Sequence, residues 1–428
     1  MHIVVYAHPP WFDSTSQQHF ADTLCGGLRQ RGHVVELRQP RPRLYAVTQA
    51  VMHAVTLAMT LAMTRAGLPW RSPPALLKWA GYVDQHLLFA ATLRWARRHD
   101  PAHTLYVFSD QALGPWVPGF AGLPHVVHCH DLLALTGALG EGPGPPLRWS
   151  GRLYQQWIRR GFARARHFIA VSAHTRSELQ RLAGIPAHAC AVVHNGLNAP
   201  YRRLPAAHAR AVLQAAGLGA APEHGLLLHV GNGLWYKNPQ GVLALYSRYA
   251  RDCDSAGRTP LPLWMRSPVP DAALQRALQA LPASAQVRFV PVLAPDSMAA
   301  LYSAAELLLF PSHAEGFGWP IAEAMACGCA VVTTARAPMT EVGGPLAHYL
   351  PPCPDAGDQQ ALGRWAARGA EAVHTLLARD ASAREHDAAA MVAWAQRFEP
   401  GLAIDAVLEV YRQVLAQRLD NVEARQAT

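Results

Sequence analysis

The stretch "LLLFPSHAEGFGWPIAEAMACGCAVVTT", residues 307 to 334, predicts a strand, a loop, a helix and a second strand. The run "LLLF" is apolar and short, as expected of a buried strand. Pro320 suits the first turn of the helix, because the N–H that proline lacks would be unpaired there in any case. Gly328 marks the end of the helix, and "CAVVTT" forms the next strand. Strands joined through a helix indicate parallel pairing, so this stretch predicts an α/β fold.

The rest of the chain repeats this alternation of short apolar strands and helical segments. Five predicted strands come first: "HIVVYA", "HVVEL", "TLYVFS", "HVVHCHD" and "HFIAVS". Five more follow residue 224: "LLLHVG", "LPLWM", "VRFVPV", "ELLLFPS" and "CAVVTT". At 428 residues the chain is too long for one ordinary core. We therefore predict two doubly wound domains whose parallel sheets are covered on both faces, joined near residues 198–208.

Composition indicates a packed globular protein without a membrane span. Half of the residues are apolar and 16% are charged. The opening "MHIVVYAH" predicts a strand and not a secretory signal, and the longest charge-free apolar run, residues 50–64, is too short to cross a bilayer. Seven scattered cysteines form no disulfide framework and suit a reducing cytosol. We expect a cytoplasmic protein that is soluble or held peripherally on the inner face of the membrane.

Positive charge is concentrated in the first half of the chain. Residues 1–200 hold 19 Lys and Arg against 9 Asp and Glu, whereas the remainder holds 19 against 20. Clusters such as "RWSGRLYQQWIRRGFARAR" (148–166) indicate an acidic partner, for which we favour an anionic membrane; a solvated arginine surface is the alternative. No zinc-finger spacing or aromatic RNA-binding signature is present, so we expect no nucleic-acid partner. If residues 50–64 form a helix, His53, Thr56, Thr60 and Thr64 lie in one narrow polar stripe and the rest of its surface is apolar. This pattern predicts either an amphipathic helix on a membrane surface or a core helix packed on the first sheet.

The loop of the opening stretch has the features of a phosphate site. Gly316 and Gly318 lack Cβ atoms where the backbone meets a helix N-terminus, whose unpaired N–H groups attract anions. Glu315 and Glu323 flank this loop, and two carboxylates would repel phosphate unless they bind something else, such as sugar hydroxyls. The pattern therefore predicts a ligand with a diphosphate in the middle and a sugar at each end. The alternative is that Glu323 complements the helix dipole and that Glu315 is a solvated loop residue.

Residues 315–328, Glu-Gly-Phe-Gly-x-Pro-x-x-Glu-Ala-Met-Ala-x-Gly, resemble the signature of the retaining glycosyltransferase family 4. The resemblance extends to "HVGNGLWYKNPQGVL" (229–243), "VVHCHDLLAL", "FIAVSAHTRSEL", "VVHNGLN" and the final helices. It implies the GT-B fold, in which two Rossmann-like domains face each other across a cleft. Residues 1–200 would bind the acceptor, with a C-terminal helix at 404–428 packing back on them, and residues 201–403 would bind a nucleotide sugar.

The resemblance also implies roles for single residues. Glu323 would bind the nucleotide ribose, and Glu315, with the amides that follow it, would hold the donor sugar. Lys237 would bind phosphate, which also makes chemical sense because an ammonium group stabilises the charge on a departing diphosphate. The alternative for Lys237 is an exposed helix lysine, but its place beside the glycine turn "GNG" favours phosphate binding. His130 would approach the donor sugar at the reaction centre, with a structural role as the alternative. The donor-binding residues implied are Gly231, Asn232, Lys237, Asn238, Glu315, Gly316, Phe317, Gly318 and Glu323.

The sequence departs from the family pattern at three positions. The loop after the first strand lacks the usual Gly-Gly pair, and we expect it to line the acceptor site with Ser14, Thr15, Ser16 and Gln17. Asn232 stands where the family often has an arginine, which leaves Lys237 as the only clear cation there. The segment "LPLWMRSPVP" lacks the usual glycine after its strand.

No metal site is expected. Cys327 and Cys329 have no second pair to complete a zinc site. The "DCD" of residues 252–254 imitates the metal-binding Asp-x-Asp of other glycosyltransferases, but it lies in a helical segment and not after a strand. His128 and His130 share a strand face, and a metal pair there is the least favoured interpretation.

These observations predict a retaining glycosyltransferase that transfers a hexose from GDP- or UDP-hexose to a glycan or lipid-linked acceptor, in surface polysaccharide or glycoconjugate synthesis. The reaction would follow closure of the cleft and need no metal or other cofactor. The alternatives are a sugar phosphorylase or hydrolase of the same fold and a catalytically degenerate scaffold. Retention of Glu315, Glu323 and Lys237 argues against a scaffold.

Overall fold

The computed structural model describes residues 1–9, 11, 15–64, 74–142, 144–219 and 222–426. They form two six-stranded parallel sheets, each with a hydrophobic core on both faces. The architecture confirms the predicted pair of doubly wound, Rossmann-like domains.

The first sheet belongs to the amino-terminal half of the chain. Its strands are β1 (His2–Tyr6), β2 (Val34–Arg38), β3 (Leu105–Phe108), β4 (His125–Cys129), β5 (Phe168–Ala170) and β6 (Cys190–Val192). Its helices are α1 (Thr15–Gln30), α2 (Leu44–Thr64), α3 (Pro74–Val83), α4 (Phe89–Ala96), α5 (Leu133–Leu139), α6 (Trp149–Phe162) and α7 (Ala173–Ala183). A π-helical turn at Asp84–Leu88 joins α3 to α4, and 3₁₀ segments lie at Arg97–His99, Gln111–Phe120 and Ala187–Ala189.

The second sheet follows the joint near residue 200. Its strands are β7 (Leu226–Val230), β8 (Leu263–Arg266), β9 (Val287–Val290), β10 (Ala305–Phe310), β11 (Ala330–Thr334) and β12 (His348–Leu350). The helices are α8 (Ala206–Ala215), α9 (Pro239–Ser255), α10 (Ala272–Gln279), α11 (Pro295–Ala304), α12 (Trp319–Ala326), α13 (Met339–Gly343), α14 (Gln359–Leu377), α15 (Ala381–Ala395) and α16 (Pro400–Gln426). Short 3₁₀ segments lie at Trp235–Lys237 and Gln396–Phe398.

All ten strands predicted from the sequence are present, and each sheet contains one more. The additional strands, β6 and β12, have three residues each, too few for a recognisable apolar pattern. The last strand of the first sheet and the first strand of the second fall on either side of residue 200. The domain boundaries at 200/201 and 403/404 stay predictions.

The order of strands in the second sheet identifies the edge at which ligands bind. The order is β12-β11-β10-β7-β8-β9, so the chain runs outward from β7 to β9 and then returns to the other side of β7 with β10. Doubly wound folds bind ligands beyond the carboxyl ends of the strands at such a reversal. Because β7 ends at Val230 and β10 at Phe310, the loops after these residues meet at the reversal.

The C-terminal helix α16 packs back on the first domain, as predicted. Ile404 and Leu408 lie in one buried cluster with Ile3 of β1. The Tyr411 hydroxyl forms a 2.7 Å hydrogen bond with Nε2 of His128, and burial lowers the pKa of His128 to about 3. His128 therefore has a structural role. In the described ranges, no group of three or more His, Cys, Asp or Glu could hold a metal ion.

Helix α2 contains the charge-free apolar run. Val47, Val51 and Val55 are about half exposed, at 62%, 56% and 46%, so the described side chains of α2 do not belong to a core helix. The side chains of residues 56–64 lie outside the described part, and the predicted polar stripe stays a prediction. Among the helices of the described ranges, none is long and apolar enough to span a bilayer.

Candidate active site

The candidate site lies at the carboxyl ends of β7 and β10, where Lys237 and Glu315 meet. The Lys237 ammonium donates hydrogen bonds to both carboxylate oxygens of Glu315, at 2.8 and 2.9 Å. Both side chains are nearly buried, and the ammonium also lies 4.8 Å from the centre of the Phe310 ring. Two residues 78 positions apart in the sequence are thus joined into one charged unit.

Asn238, the residue after Lys237, is held in place by hydrogen bonds of its own. Its backbone adopts the left-handed conformation, with φ of 54°, and its side-chain oxygen accepts a hydrogen bond from the Gly241 N–H at the start of α9. Its amide nitrogen donates to the Pro311 carbonyl at 2.9 Å. These bonds occupy the side chain as a helix cap. Asn238 is not among the residues of the cleft described below, so its predicted role in donor binding stays a prediction.

At Gly316 the second domain comes into close contact with the first. A Cβ atom on Gly316 would overlap the carbonyl oxygen of His130, the residue after β4. The Gly316 carbonyl accepts hydrogen bonds from Ser172 Oγ and Thr175 Oγ1 of the first domain, at 2.9 and 3.3 Å. Glycine is therefore required here by the contact between domains, a reason that the sequence could not reveal.

Glu323 lies in α12, inside the helix that follows the loop. The side chain is buried, and its Oε2 accepts a 2.8 Å hydrogen bond from the Tyr302 hydroxyl. Burial raises the pKa of Glu323 to about 7, although Tyr302, Lys237 and Arg266 act in the opposite direction. The carboxyl group therefore changes its charge close to neutral pH.

His130 forms part of the opposite wall of the cleft. Its Nε2 lies 2.9 Å from the Ser109 carbonyl, which can only accept, so Nε2 carries the proton. The backbone N–H of His130 donates to Gln111 Oε1, and the Phe20 ring meets the imidazole edge-on at 4.4 Å. These contacts hold the ring against the first sheet beside the Glu315–Gly316 loop.

Most predicted site residues line one open cleft of about 1720 Å³ between the domains. Those in its wall are Ser16, Gln17, His130, Gly231, Asn232, Lys237, Glu315, Gly316, Phe317, Gly318 and Glu323. Ser14 lies outside the described residues, as does the side chain of Thr15, whose backbone begins α1. The residues predicted for the donor and for the acceptor thus share one space.

Several residues of this cleft were not predicted from the sequence, among them His19, Asp131, Tyr236 and Arg266. Arg266 ends β8, and its Nη1 donates to the Gly231 carbonyl at 3.2 Å. The conclusion that Lys237 is the only clear cation here was therefore wrong. The signal was present in "LPLWMRSPVP", in which the strand ends on an arginine and the glycine that the family usually has after it is missing.

Two family models match the chain in succession. Residues 17–199 match Glycosyltransferase Family 4, and residues 215–348 match Glycosyl transferases group 1. A D-inositol 3-phosphate glycosyltransferase of Rhodococcus jostii is 32% identical over 255 residues, which are 57% of this chain and 54% of that protein. The alpha-maltose-1-phosphate synthase of Mycolicibacterium smegmatis is 29% identical over 321 residues, which are 70% of this chain and 78% of that protein. The chain spans about half the length of the first of these relatives.

Solved structures share the fold at low sequence identity. A glycosyltransferase from Rickettsia africae aligns with a TM-score of 0.62 at 12% identity, covering 97% of this chain and 98% of that one. The Anabaena protein HepE in complex with UDP-glucose aligns with a TM-score of 0.59 at 17% identity, covering 98% and 100%. The two family models together match most of the sequence, and the fold agrees with them: the chain belongs to glycosyltransferase family 4 and has the GT-B fold.

Proposed function

We propose that the protein is a retaining hexosyltransferase that uses GDP-hexose or UDP-hexose as donor. The main support is the Lys237–Glu315 pair beside the N-terminus of α12, at the reversal of the second sheet, with Glu323 one turn inside the helix. Together with Arg266, the cleft therefore holds two cations, one helix end and two carboxylates. A nucleotide diphosphate sugar presents the complementary groups, which are an anionic centre and a hydroxyl-bearing sugar on each side.

In this proposal the donor lies along the loops after β7 and β10. Glu323 accepts hydrogen bonds from the ribose hydroxyls, and the diphosphate lies between Lys237, Arg266 and the N-terminus of α12. Glu315 holds the hexose and keeps the Lys237 ammonium in place. Arg266 supplies the second cation that the family often has at position 232, where this chain has asparagine.

The acceptor binds from the side of the first domain, where Ser16, Gln17 and His130 line the cleft. The carboxylates of Glu315 and Glu323 are bonded to Lys237 and Tyr302, so neither is a free nucleophile. We therefore propose that the diphosphate departs and the acceptor hydroxyl attacks on the same face of the sugar. The acceptor is a glycan or a lipid-linked sugar of surface polysaccharide or glycoconjugate synthesis. An O-antigen chain mannosyltransferase among the relatives supports this class.

The positive charges of Lys237, Arg266 and the helix N-terminus would take the place of a metal ion. We propose that turnover needs no metal and that a chelator leaves it intact. The "DCD" of residues 252–254 lies within the last turns of α9, which supports the same view.

A panel of GDP- and UDP-hexoses, incubated with the purified protein, tests the proposal. We expect release of nucleoside diphosphate and, with an acceptor, a product whose anomeric configuration matches that of the donor by NMR. Formation of sugar 1-phosphate only when inorganic phosphate is present would identify a phosphorylase. Binding of donor without any turnover, in the presence of a broad acceptor mixture, would favour a scaffold. A strict requirement for magnesium or manganese would contradict the metal-free site.

A further inference from the structure

Helix α6 has an apolar stripe on its solvent-facing side. Trp149, Leu153 and Trp157 follow one another at intervals of four residues and are 70%, 56% and 43% exposed. This spacing puts them on one face of the helix. Arg152 and Arg160 are exposed beside the stripe. Single exposed apolar residues are common on proteins, but an aligned row with two tryptophans indicates a surface that binds something.

The stripe continues onto α3 through an aromatic contact. The rings of Tyr82 on α3 and Tyr154 on α6 are 5.3 Å apart, and Trp79 lies 6.0 Å from Tyr82. Trp79 and Leu76 are each 57% exposed, and the Lys78 ammonium lies over the Tyr82 ring. We call the exposed residues of α3 and α6 the tryptophan–arginine face: Leu76, Lys78, Trp79, Arg152, Trp149, Leu153, Trp157 and Arg160.

The tryptophan–arginine face has no negative charge. Neither α3 nor α6 contains Asp or Glu. Between residues 74 and 99 the sole acidic residue is Asp84, which is buried and accepts hydrogen bonds from the backbone N–H groups of Arg43, Leu44 and Tyr45. A purely basic surface with exposed tryptophans is complementary to anionic lipid headgroups over an apolar layer, where indole rings prefer to lie.

Helix α2 packs beside α3 and extends the apolar surface. Its exposed valines, Val47, Val51 and Val55, again follow at intervals of four residues. The loop that leads into α6 comes close to the second domain near the active-site cleft. Gly144, just before α6, abuts the ring of Trp235, which is two residues from Lys237.

We propose that the tryptophan–arginine face docks on an anionic lipid bilayer and that the acceptor is lipid-linked, presented from that bilayer to the mouth of the cleft. The docking follows from the surface alone, whereas the acceptor class rests on the proposed function. The two parts are therefore tested separately.

Docking is measured by co-sedimentation with vesicles of phosphatidylglycerol and phosphatidylcholine, compared with phosphatidylcholine alone. We expect binding at low salt that weakens as salt screens the charges. The double variant Arg152→Gln/Arg160→Gln should bind about thirtyfold more weakly, because each basic residue near an anionic surface contributes about 1 kcal/mol. The control variant Arg364→Gln/Arg368→Gln removes two exposed arginines from α14 and should bind as the wild type does.

The triple variant Trp149→Ser/Leu153→Ser/Trp157→Ser tests the apolar part. It should lose most binding and the quenching of tryptophan fluorescence by brominated lipid, with an unchanged circular dichroism spectrum. The proposal would be overturned if the wild type did not bind anionic vesicles at low salt, or if the triple variant bound them as tightly as the wild type. Self-association of the wild type in sedimentation velocity that the same substitutions abolish would assign the face to a second copy instead.

The acceptor class is tested by turnover. With a lipid-linked acceptor in vesicles, the triple variant should be at least tenfold slower than the wild type. Hydrolysis of the donor by water should be equal in the two proteins, since the substitutions lie outside the cleft. Equal rates on the vesicle-bound acceptor would overturn the lipid-linked assignment. Absence of donor turnover in both proteins would instead contradict the proposed function and leave the docking measurement valid.

Discussion

At the residue scale, the proposed contact of Glu323 with the donor ribose depends on the charge of its carboxyl group. Its pKa of about 7 means that the carboxyl group loses its charge as the pH falls below neutrality. A protonated carboxyl accepts fewer hydrogen bonds from a ribose diol than a carboxylate does. We expect the donor KM of the wild type to rise as the pH falls from 8 to 6. The KM of Glu323→Gln should be higher and nearly independent of pH in this range.

The size of the effect follows from the hydrogen bond itself. A bond to a charged group contributes about 1.5–3 kcal/mol, so Glu323→Ala should raise KM roughly ten- to a hundredfold with little change in kcat. Steady-state kinetics with the native donor, in buffers of constant ionic strength, measure both quantities. A pH slope that persists in Glu323→Gln would assign the titration to another group.

Arg266 provides a second prediction at this scale. If Arg266 shares the diphosphate with Lys237, Arg266→Ala should lower kcat/KM by about ten- to a hundredfold, through loss of one charged hydrogen bond. Lys237→Ala should lower it more, because it also leaves Glu315 unpaired in a nearly buried position. Arg276→Ala, on α10 of the same domain, is the control and should leave kinetics unchanged. Wild-type kinetics for Arg266→Ala would show that the side chain only supports the Gly231 carbonyl.

At the element scale, the loop between β10 and α12 must pass very close to the first domain. Gly316→Ala would place a methyl group against the His130 carbonyl and force the loop or the domains apart. We expect the substitution to reduce the free energy of unfolding by about 1–3 kcal/mol and kcat by at least tenfold. Urea unfolding and steady-state kinetics measure the two effects.

The matched control is Gly363→Ala in α14, where a Cβ atom meets nothing within 4 Å. Because alanine is the better helix former, this change should leave kinetics unaltered and raise the free energy of unfolding by up to about 1 kcal/mol. Equal effects of the two substitutions would mean that Gly316 is not a contact position.

This loop also shows how far the sequence could lead. The strand, the turn and the proline-initiated helix follow from local patterns, and so does the position of Glu315 in the loop before the helix N-terminus. The contact of Gly316 with His130 and the position of Arg266 beside Gly231 depend on packing between elements far apart in the chain. Asn238 shows the same limit, since its side chain could equally face a ligand or cap a helix until the position of Pro311 is known.

At the scale of the whole molecule, Glu341 links the two domains. Its carboxylate accepts hydrogen bonds from the backbone N–H groups of Ala173 and His174 at the N-terminus of α7. A negative charge at this end also complements the helix dipole. Burial alone would raise the pKa of Glu341, but His194 and these two amides lower it below its ordinary value. The link is therefore complete above the ordinary glutamate pKa and is lost as the pH falls through the lowered value.

We expect Glu341→Ala to open the cleft. Loss of the hydrogen bonds that Glu341 accepts from the N-terminus of α7 destabilises the closed form by about 1 kcal/mol. The ratio of closed to open molecules then falls roughly fivefold. The radius of gyration from small-angle scattering should increase, and kcat should fall severalfold. The donor KM should change little, because the donor residues of the second domain are untouched. Glu385→Ala, which breaks the exposed pair of Glu385 with Arg203 within the second domain, should change neither quantity. A wild-type radius together with a wild-type kcat in Glu341→Ala would show that the link does not govern closure. The remaining contacts between the domains, such as those of Gly316 with Ser172 and Thr175, would then be enough to hold them together.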